Sequence, residues 1–501
     1  MWPFSNKKSV SKKRGKKQII TRGYAAADTG RLYQDWSAGN TSADTEIYSA
    51  LVRLRNRARD LSRNNDYVSR FLNMVKTNVV GHKGVSLQVK SRLASGKLDR
   101  NANEIIETHW QSFCKKRNCT VTGQLSMIDL KKMIVAAVPR DGEILIRKVR
   151  MFPYSDYLFA LQPIEADQLD HTMNVTLKNG NKIVMGVEKD KWGRPVAYHI
   201  LRRHPGDSLH NDYRGNARER VPAGEIIHLF IQERVGQSRG VTWLATPAAR
   251  CKMLDGYEEA ELVASRTGAS TMGIFVNPDA EEYIDVDDDD VDGPDTSNDV
   301  LFESEPGTFK QAPEGYDLKT FDPNHPNASF ADFEKAVLRG IASGLNVSYV
   351  GLANDLEGVS YSSIRQGETA DRDNWKMLQR WLIEHFCEDV FESWLYQFLS
   401  FGRSGLELGK FDQYNNPVWR PRGWQWVDPD KESKAVERDV GNHMKSIWAT
   451  AAEKGDDLEE IFIENARAIE LAEEYGLNLN VFNTKEVQDN ADQNGTIAQE
   501  N

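Results

Sequence analysis

The residues best placed to do chemistry are four carboxylates near strand-like segments, Asp141, Glu143, Glu165 and Asp167, with Lys148 close by. Clustered carboxylates can hold divalent ions around an in-line phosphodiester attack, which is metal-dependent nuclease chemistry. Acidic residues at strand ends are common without a metal, so charged strand termini are the simpler reading. Cys114-x4-Cys119, with His109 upstream, is a loose thiol cluster. The sequence has no Cys-x-x-Cys pair, so free thiols are expected rather than a zinc ribbon or redox site. Asp287 to Asp292 offers many oxygens but lacks the Gly and Glu of a calcium loop. The segment 405–411 has the wrong glycine spacing for a phosphate loop and puts Phe411 where a hydroxyl must bind magnesium. Neither a G-x-S-x-G elbow nor an H-E-x-x-H helix is present. These patterns assign no catalytic residue, no cofactor and no metal site.

The elements that must position these groups follow from apolar spacing. Leu54, Ala58, Leu61, Val68, Leu72, Val75 and Val79 recur at intervals of three and four, with Asn65 where an apolar residue belongs. This predicts one helical face in two pieces, N-capped at Asp44 and broken at Asn64-Asn65-Asp66. Arg53, Arg55, Arg57, Arg59 and Arg63 cover the rest of the first piece, as a solvated face or as a contact to a neighbouring subunit or DNA. Helices are also expected over 103–114 and 126–138. Residues 140–232 then read as an antiparallel β-rich module. Strand-like runs lie at 143–147, 157–162, 196–200 and 226–231, and Asn179-Gly180 marks a hairpin.

From Thr242 to about residue 270 the chain reads as a helix rich in Ala245, Ala248, Ala249, Ala260 and Ala264, about 40 Å long. Its small residues suit packing between subunits. The run 279–299 is densely acidic, which resists compaction. Ser329 and Asp332 open a further helix in capping-box style, lined by Phe333, Val337, Leu338, Ile341 and Leu345. A loop over 346–360 leads into a long helix over 361–399. Its stripe is Trp375, Leu378, Leu382, Phe386, Val390, Trp394 and Phe398. Asp428-Pro429 reads as another helix start. A last helix runs from Asp456 or Asp457 to Tyr475, with Gly476 as its stop. Residues 484–501 read as a disordered tail. The fold class is therefore α+β, mainly helical.

The 501 residues are 40% hydrophobic and 28% charged, enough for two to four domains with real cores. A net charge of −10 argues against a protein built to coat nucleic acid. No run is long and apolar enough to span a membrane. Residues 1–43 read as a disordered arm whose basic cluster is Lys7, Lys8, Lys12, Lys13, Arg14, Lys16, Lys17 and Arg22. No apolar stretch follows the cluster, so it is not a secretory signal. It is either a solvated tail or a docking arm for an acidic partner or DNA phosphates.

Several stretches, in order, resemble the phage portal proteins of the lambda family. They are 53–81 (RLRNRARDLSRNNDYVSRFLNMVKTNVVG), 141–147 (DGEILIR), 161–169 (LQPIEADQL), 192–199 (WGRPVAYH), 221–230 (VPAGEIIHLF) and 234–245 (RVGQSRGVTWLA). Segment 338–365 adds GLNVSYVGL and YSSIR, and 424–432 reads WQWVDPDKE. The resemblance covers roughly 45–435 and does not extend to the acidic run.

It implies a homododecameric ring around a central channel. Residues 1–43 would be the arm, 44–241 a wing of helices and antiparallel β-module, and 242–271 a first stem helix. Residues 272–328 would be the clip, 329–345 a second stem helix, and 346–360 a channel loop bearing Asn346, Tyr349, Asn354, Asp355 and Glu357. Residues 361–427 would be the long wing helix and its return, and 428–483 a helical crown. The implied partners are the terminase large subunit, major capsid and scaffold proteins, head-completion or connector proteins, and double-stranded DNA passing through. No membrane is implied. The implied location is the portal vertex of the virion, after assembly in the host cytoplasm. Another virion structural or connector protein is the alternative in the same class, and a metal-dependent nuclease the alternative in another. The basic arm is expected to help recruit scaffold or capsid subunits. Deleting residues 1–22 is then expected to lower procapsid yield, counted by electron microscopy of infected-cell lysates; unchanged yield would remove that role.

Overall fold

The computed structural model describes residues 31, 34–37, 39–208, 217–269, 273–276, 317–320, 330–358, 360–401, 405–424, 429–454, 456 and 458–477. The chain enters through α1 (Ala43–Asn64) and α2 (Asp66–Val75). Asn65 divides them as expected: its N–H closes α1 on Leu61, and its side-chain oxygen accepts from Val68 N at 2.9 Å to cap α2. The cap of α1 is Ser42, not Asp44. Asp44 instead accepts from Ser238 N at 2.7 Å and Ser238 Oγ at 2.6 Å, a partner that local sequence does not reveal. A π-turn, Lys76–Val80, continues α2 to Gly81.

Strand β1 (Ser86–Val89), α3 (Arg100–Phe113), α4 (Lys116–Cys119) and α5 (Met127–Asp141) follow. Asp99 caps α3, and Ser126 with Asp129 forms a capping box on α5. Next come β2 (Glu143–Arg150), β3 (Phe159–Ile164), β4 (Val175–Thr176), β5 (Lys182–Val184), β6 (Val187–Lys189), β7 (Pro195–Leu201), β8 (Arg218–Pro222) and β9 (Ile226–Phe230). They pair antiparallel as a three-stranded sheet β3-β2-β9 and a five-stranded sheet β4-β5-β6-β7-β8. The strand pleat sends alternate side chains of β2 to opposite faces. Ile144 and Ile146 enter the larger core, while Leu145 enters the smaller core beneath the five-stranded sheet.

Helix α6 is Ala248–Ala269, shorter at its start than expected. Thr242 caps a separate 3-10 turn, and Pro247, which cannot donate a backbone hydrogen bond, precedes the helix. Its 22 residues span about 33 Å. Strands β10 (Gly273–Val276) and β11 (Asp317–Thr320) form an antiparallel pair. The acidic run 279–299 between them, the possible calcium ligands in it, and Ser329 of the expected capping box lie outside the described residues. So do the basic cluster from Lys7 to Arg22, Asp428 and the tail 484–501.

Helix α7 (Phe330–Gly344) buries Leu338 and Ile341. Phe333, expected in the core, is exposed and packs its edge on Tyr257 of α6 at 5.1 Å. The expected loop at 346–360 contains a short helix, α8 (Tyr349–Ala353), capped by Ser348. The long helix is α9 (Tyr361–Leu382) and α10 (Glu388–Ser400), joined through a π-turn at Ile383–Cys387. Its stripe meets α3 in an aromatic cluster. Trp110 lies 5.1 Å from Trp394, which stacks on Phe398 at 5.1 Å. After α11 (Phe411–Tyr414), β12 (Pro417–Arg420) returns to pair with β1, Ser86 opposite Arg420. Helices α12 (Pro429–Gly441), α13 (Ile447–Lys454) and α14 (Leu458–Glu474) end the described chain, and α13 is one that periodicity did not reveal.

Two turns approach each other more closely than any side chain would allow. Gly142 has φ +90°, and a Cβ on Gly240 would sit 2.1 Å from Gly142 O. Gly240→Ala is expected to destabilise the protein by about 3–5 kcal/mol, read by chemical denaturation. Gly180→Ala, at a left-handed φ of +87° but with open space around it, should cost only about 1–2 kcal/mol.

Candidate functional site

The close approach of the two glycine turns lets Gly240 N–H donate to Glu143 Oε2 at 2.9 Å. Glu143 opens β2 and is completely buried. Its carboxylate also accepts from Arg55 Nη2 at 2.8 Å, Arg239 Nε at 2.8 Å and His228 Nε2 at 2.9 Å. Arg239 is itself fully buried and spends its other donors on the carbonyls of Ala166, Leu169 and Met185. Burial pushes the Glu143 carboxyl up. The Arg239 guanidinium, the His228 hydrogen bond and Arg55 outweigh that and hold it well below the usual carboxylate range. Burial drives His228 below its ordinary value against the pull of Glu143, so a neutral imidazole donates its Nε2 proton.

Sequence reasoning grouped Asp141, Glu143, Glu165 and Asp167, and Arg55 does bring three of them together. It donates to Asp141 O at 3.1 Å, to Asp167 Oδ1 at 3.3 Å and to Glu143. Asp141 further pairs with Arg59 at 2.7 Å and Arg140 at 2.7 Å, and Asp167 with Arg59 at 2.6 Å. Glu165 lies 3.2 Å from His204. Lys148 turns away to Asp389 on α10, at 2.5 Å. Asp141, Glu143 and Asp167 are each held by guanidinium groups. An ion bound among them would displace those partners and leave buried cations unpaired, an expensive exchange. Among the described residues, Glu165, Asp167 and His204 are the side chains close enough to share an ion, and Asp167 is already held by Arg55 and Arg59.

Arg55 and Arg59 are corrections to the reading of a solvated or externally docked arginine face: both turn inward. Nothing in their spacing marks them, and Arg239 carries no periodic signal either. Both thiols are free, Cys119 buried and Cys114 half-buried. Burial pushes Cys114 up to about 12 and Cys119 higher. His109 faces Tyr157 Oη at 3.2 Å, not the thiols.

A second charged cluster crosses the five-stranded sheet. Glu188 accepts from Arg220 at 2.8 Å and Asn181 at 2.8 Å, and the Arg220 bond chiefly holds its carboxyl down at about 2.

The segment 346–360 is braced on both sides. Asn346 and Asn354 hold left-handed φ values of 54° and 55°. Asn346 O accepts from Asn374 of α9 at 2.8 Å, and Asn354 Oδ1 from Arg70 of α2 at 3.0 Å. Ser348 donates twice to Asp371 of α9. Tyr349 Oη donates to Asp355 at 2.7 Å, and Arg339 lies over its ring. Lys335 of α7 reaches Asp355 at 3.5 Å and Glu357 at 3.1 Å. The Tyr349 hydrogen bond is the main cause holding Asp355 below its ordinary value. Helices α6 and α7 meet the body at Tyr67 Oη, which lies 3.1 Å from both Glu258 and Glu334.

A family model described as phage portal protein, lambda family, matches residues 29–379. The probable portal protein of Halomonas phage phiHAP-1 is 36% identical over 449 residues, covering 89% of this chain and 86% of the relative. Portal protein B of Escherichia phage lambda is 21% identical over 473 residues, covering 87% of each. A solved chain from the neck of an empty gene transfer agent particle aligns over 85% of this chain and 99% of its own, at TM-score 0.43 and 13% identity.

Glu143→Gln removes the charge that compensates Arg55 and Arg239, and should destabilise by about 3–5 kcal/mol. The depressed His228 means stability falls as pH drops below 6.5. The depressed Glu143 and Glu188 carboxyls contribute fully above 4.5 and lose their contribution as pH falls below it, Glu188 down to about 2 and Glu143 over a wider acid range. Denaturation midpoints measured from pH 8 to 3 should decline in wild type and decline less in Glu143→Gln.

Proposed function

The chain belongs to the lambda family of phage portal proteins, and from that premise we propose that copies of it close into a ring of twelve around a DNA channel. The channel passes double-stranded DNA during packaging and ejection, at one vertex of the capsid, after assembly in the host cytoplasm. The terminase large subunit and later the head-completion or connector proteins dock on the ring, and capsid and scaffold proteins surround it. The chain plays a structural part, with energy supplied by the separate terminase.

One observation carries the assembly reading. Helix α6 buries Cys251 and Leu254 near its start, yet exposes Met253, Leu262 and Val263 along its length. A 22-residue helix with apolar side chains left in water is built to be covered by neighbours. On this reading 44–241 is the wing, α6 and α7 are the stem, 272–328 is the clip and 428–483 the crown. Asn346, Tyr349, Asn354, Asp355 and Glu357 then border the channel, where their bracing to α7 and α9 keeps the segment in place. A channel wall must also avoid holding DNA. Each Lys or Arg that neutralises a phosphate adds affinity and hence friction. The net charge of −10, and acids at 355 and 357 already engaged by Lys335, suit such a wall.

Negative-stain microscopy of the purified full chain is expected to show closed rings of about twelve subunits with a central hole. A monomer or dimer at every salt concentration would defeat the ring reading.

A further inference from the structure

Helices α6 and α7 are joined to the body through one phenol that serves two acids. Tyr67, the second residue of α2, places its Oη 3.1 Å from Glu258 Oε1 of α6 and 3.1 Å from Glu334 Oε1 of α7. A phenol carries one proton and so donates to one carboxylate at a time. The other carboxylate then faces the lone pairs of the same oxygen. Two acceptors at that distance repel, unless the second carboxyl keeps a proton of its own and donates it to Oη. Burial, followed by Glu258 and Glu334, pushes the Tyr67 phenol up, so its own proton stays in place.

Among the described residues, no cation pairs with either acid. Asp66 of α2 and Asp255 of α6 add two more negative charges. Asn65 Nδ2 donates to Asp255 at 2.5 Å, which holds that carboxylate at the joint. Residues 254–262 of α6 include Asp255, Glu259 and Glu261 and no lysine or arginine. The cations of the neighbouring elements turn elsewhere. Lys335 of α7 reaches Asp355 and Glu357, Arg339 lies over the Tyr349 ring, and Arg70 of α2 donates to Gly351 O and Asn354. Burial raises the Glu258 carboxyl above its ordinary value. The Tyr67 hydrogen bond opposes that rise, and Glu334, Asp255 and Asp66 add to it. Where like-charged carboxylates share a site, one of them keeps its proton to higher pH.

We propose that Glu258 and Glu334 hold one carboxyl proton between them across Tyr67, and that this proton operates the joint. With it, two hydrogen bonds in series clasp α6, α2 and α7: the Glu258 carboxyl donates to Tyr67 Oη, and Tyr67 donates to Glu334. Without it, two anions meet one phenol beside Asp66 and Asp255, and α6 and α7 part at their root. One residue along, Tyr257 stacks on Phe330 at 5.5 Å and meets Phe333 at 5.1 Å. The helices therefore keep an apolar contact when the clasp opens, and the joint loosens without unfolding. A carboxyl raised by folding stabilises most near its unfolded value of 4.5 and loses that contribution as pH rises, the reverse of Glu143 and Glu188. The clasp is independent of the ring reading; on that reading it sets how freely the stem moves against the wing.

The test is amide hydrogen exchange on the full chain from pH 5 to 8, corrected for the intrinsic pH dependence of exchange. Protection is read in residues 252–264 and 330–341, relative to α3, which lies outside the joint. In wild type it should fall by about tenfold across that range. Glu258→Gln and Glu334→Gln each replace an acid by a neutral amide, and both should keep the low-pH protection at pH 8. Tyr67→Phe should lower protection at both ends of the range. Wild-type protection that does not change with pH, or amide variants that still lose it as pH rises, would overturn the clasp. Tyr67→Phe exchanging like wild type would overturn it as well. So would magnesium chloride restoring wild-type protection at pH 8 where sodium chloride of equal ionic strength does not, because a metal ion rather than a proton would then fill the place. Ring formation is read separately by microscopy and stands or falls on its own.

Discussion

The buried carboxylate of Glu143 is the constraint on which the described structure turns. It sits where the end of α5, the start of β2, the face of α1, strand β9 and the 239–240 turn converge. A charge in that place is tolerable only because Arg55, Arg239, His228 and a backbone N–H converge on it. The geometry leaves no room for side chains where Gly142 meets Gly240. Segments nearly a hundred residues apart are thereby locked to one point.

From that point β2 runs between two cores. Ile144 and Ile146 pack toward α5 and the aromatic cluster of α3 and α10, while Leu145 packs beneath the five-stranded sheet. A strand anchored at its first residue and buried on both faces makes a rigid body. The helices α6 and α7 leave that body at Tyr67, and the braced segment around α8 ties α7 to α9. Positioning rather than reaction is what such an arrangement does well. Three of the four carboxylates that suggested chemistry, Asp141, Glu143 and Asp167, are consumed as structural counter-ions.

What the body leaves uncovered is as informative as what it buries. Met253, Leu262 and Val263 on α6, and Phe462, Ile463 and Leu471 on α14, remain exposed beside helices with few buried residues of their own. Apolar surface of this kind is what neighbouring copies in a ring would cover. It agrees with the ring proposed for a member of the portal family, in which each copy completes its neighbours.

Local sequence by itself determined the helix pieces and their break, because Asn65 serves as cap for one helix and end for another within a few residues. It likewise determined the Asn179-Gly180 hairpin, the Ser126 capping box, the antiparallel strands and the aromatic stripe of the long helix. Each is specified by contacts of short range or by a repeat of fixed period. The order of the family motifs was legible for the same reason: it needs no partner. Only tertiary structure decided that Arg55 and Arg59 face inward, that Asp44 holds Ser238 instead of capping α1, and that 346–360 folds around α8. It also decided that Asp141, Glu143 and Asp167 are neutralised. Those outcomes depend on partners from 23 to 194 residues away, and a charged residue carries no periodic mark of which distant group will meet it.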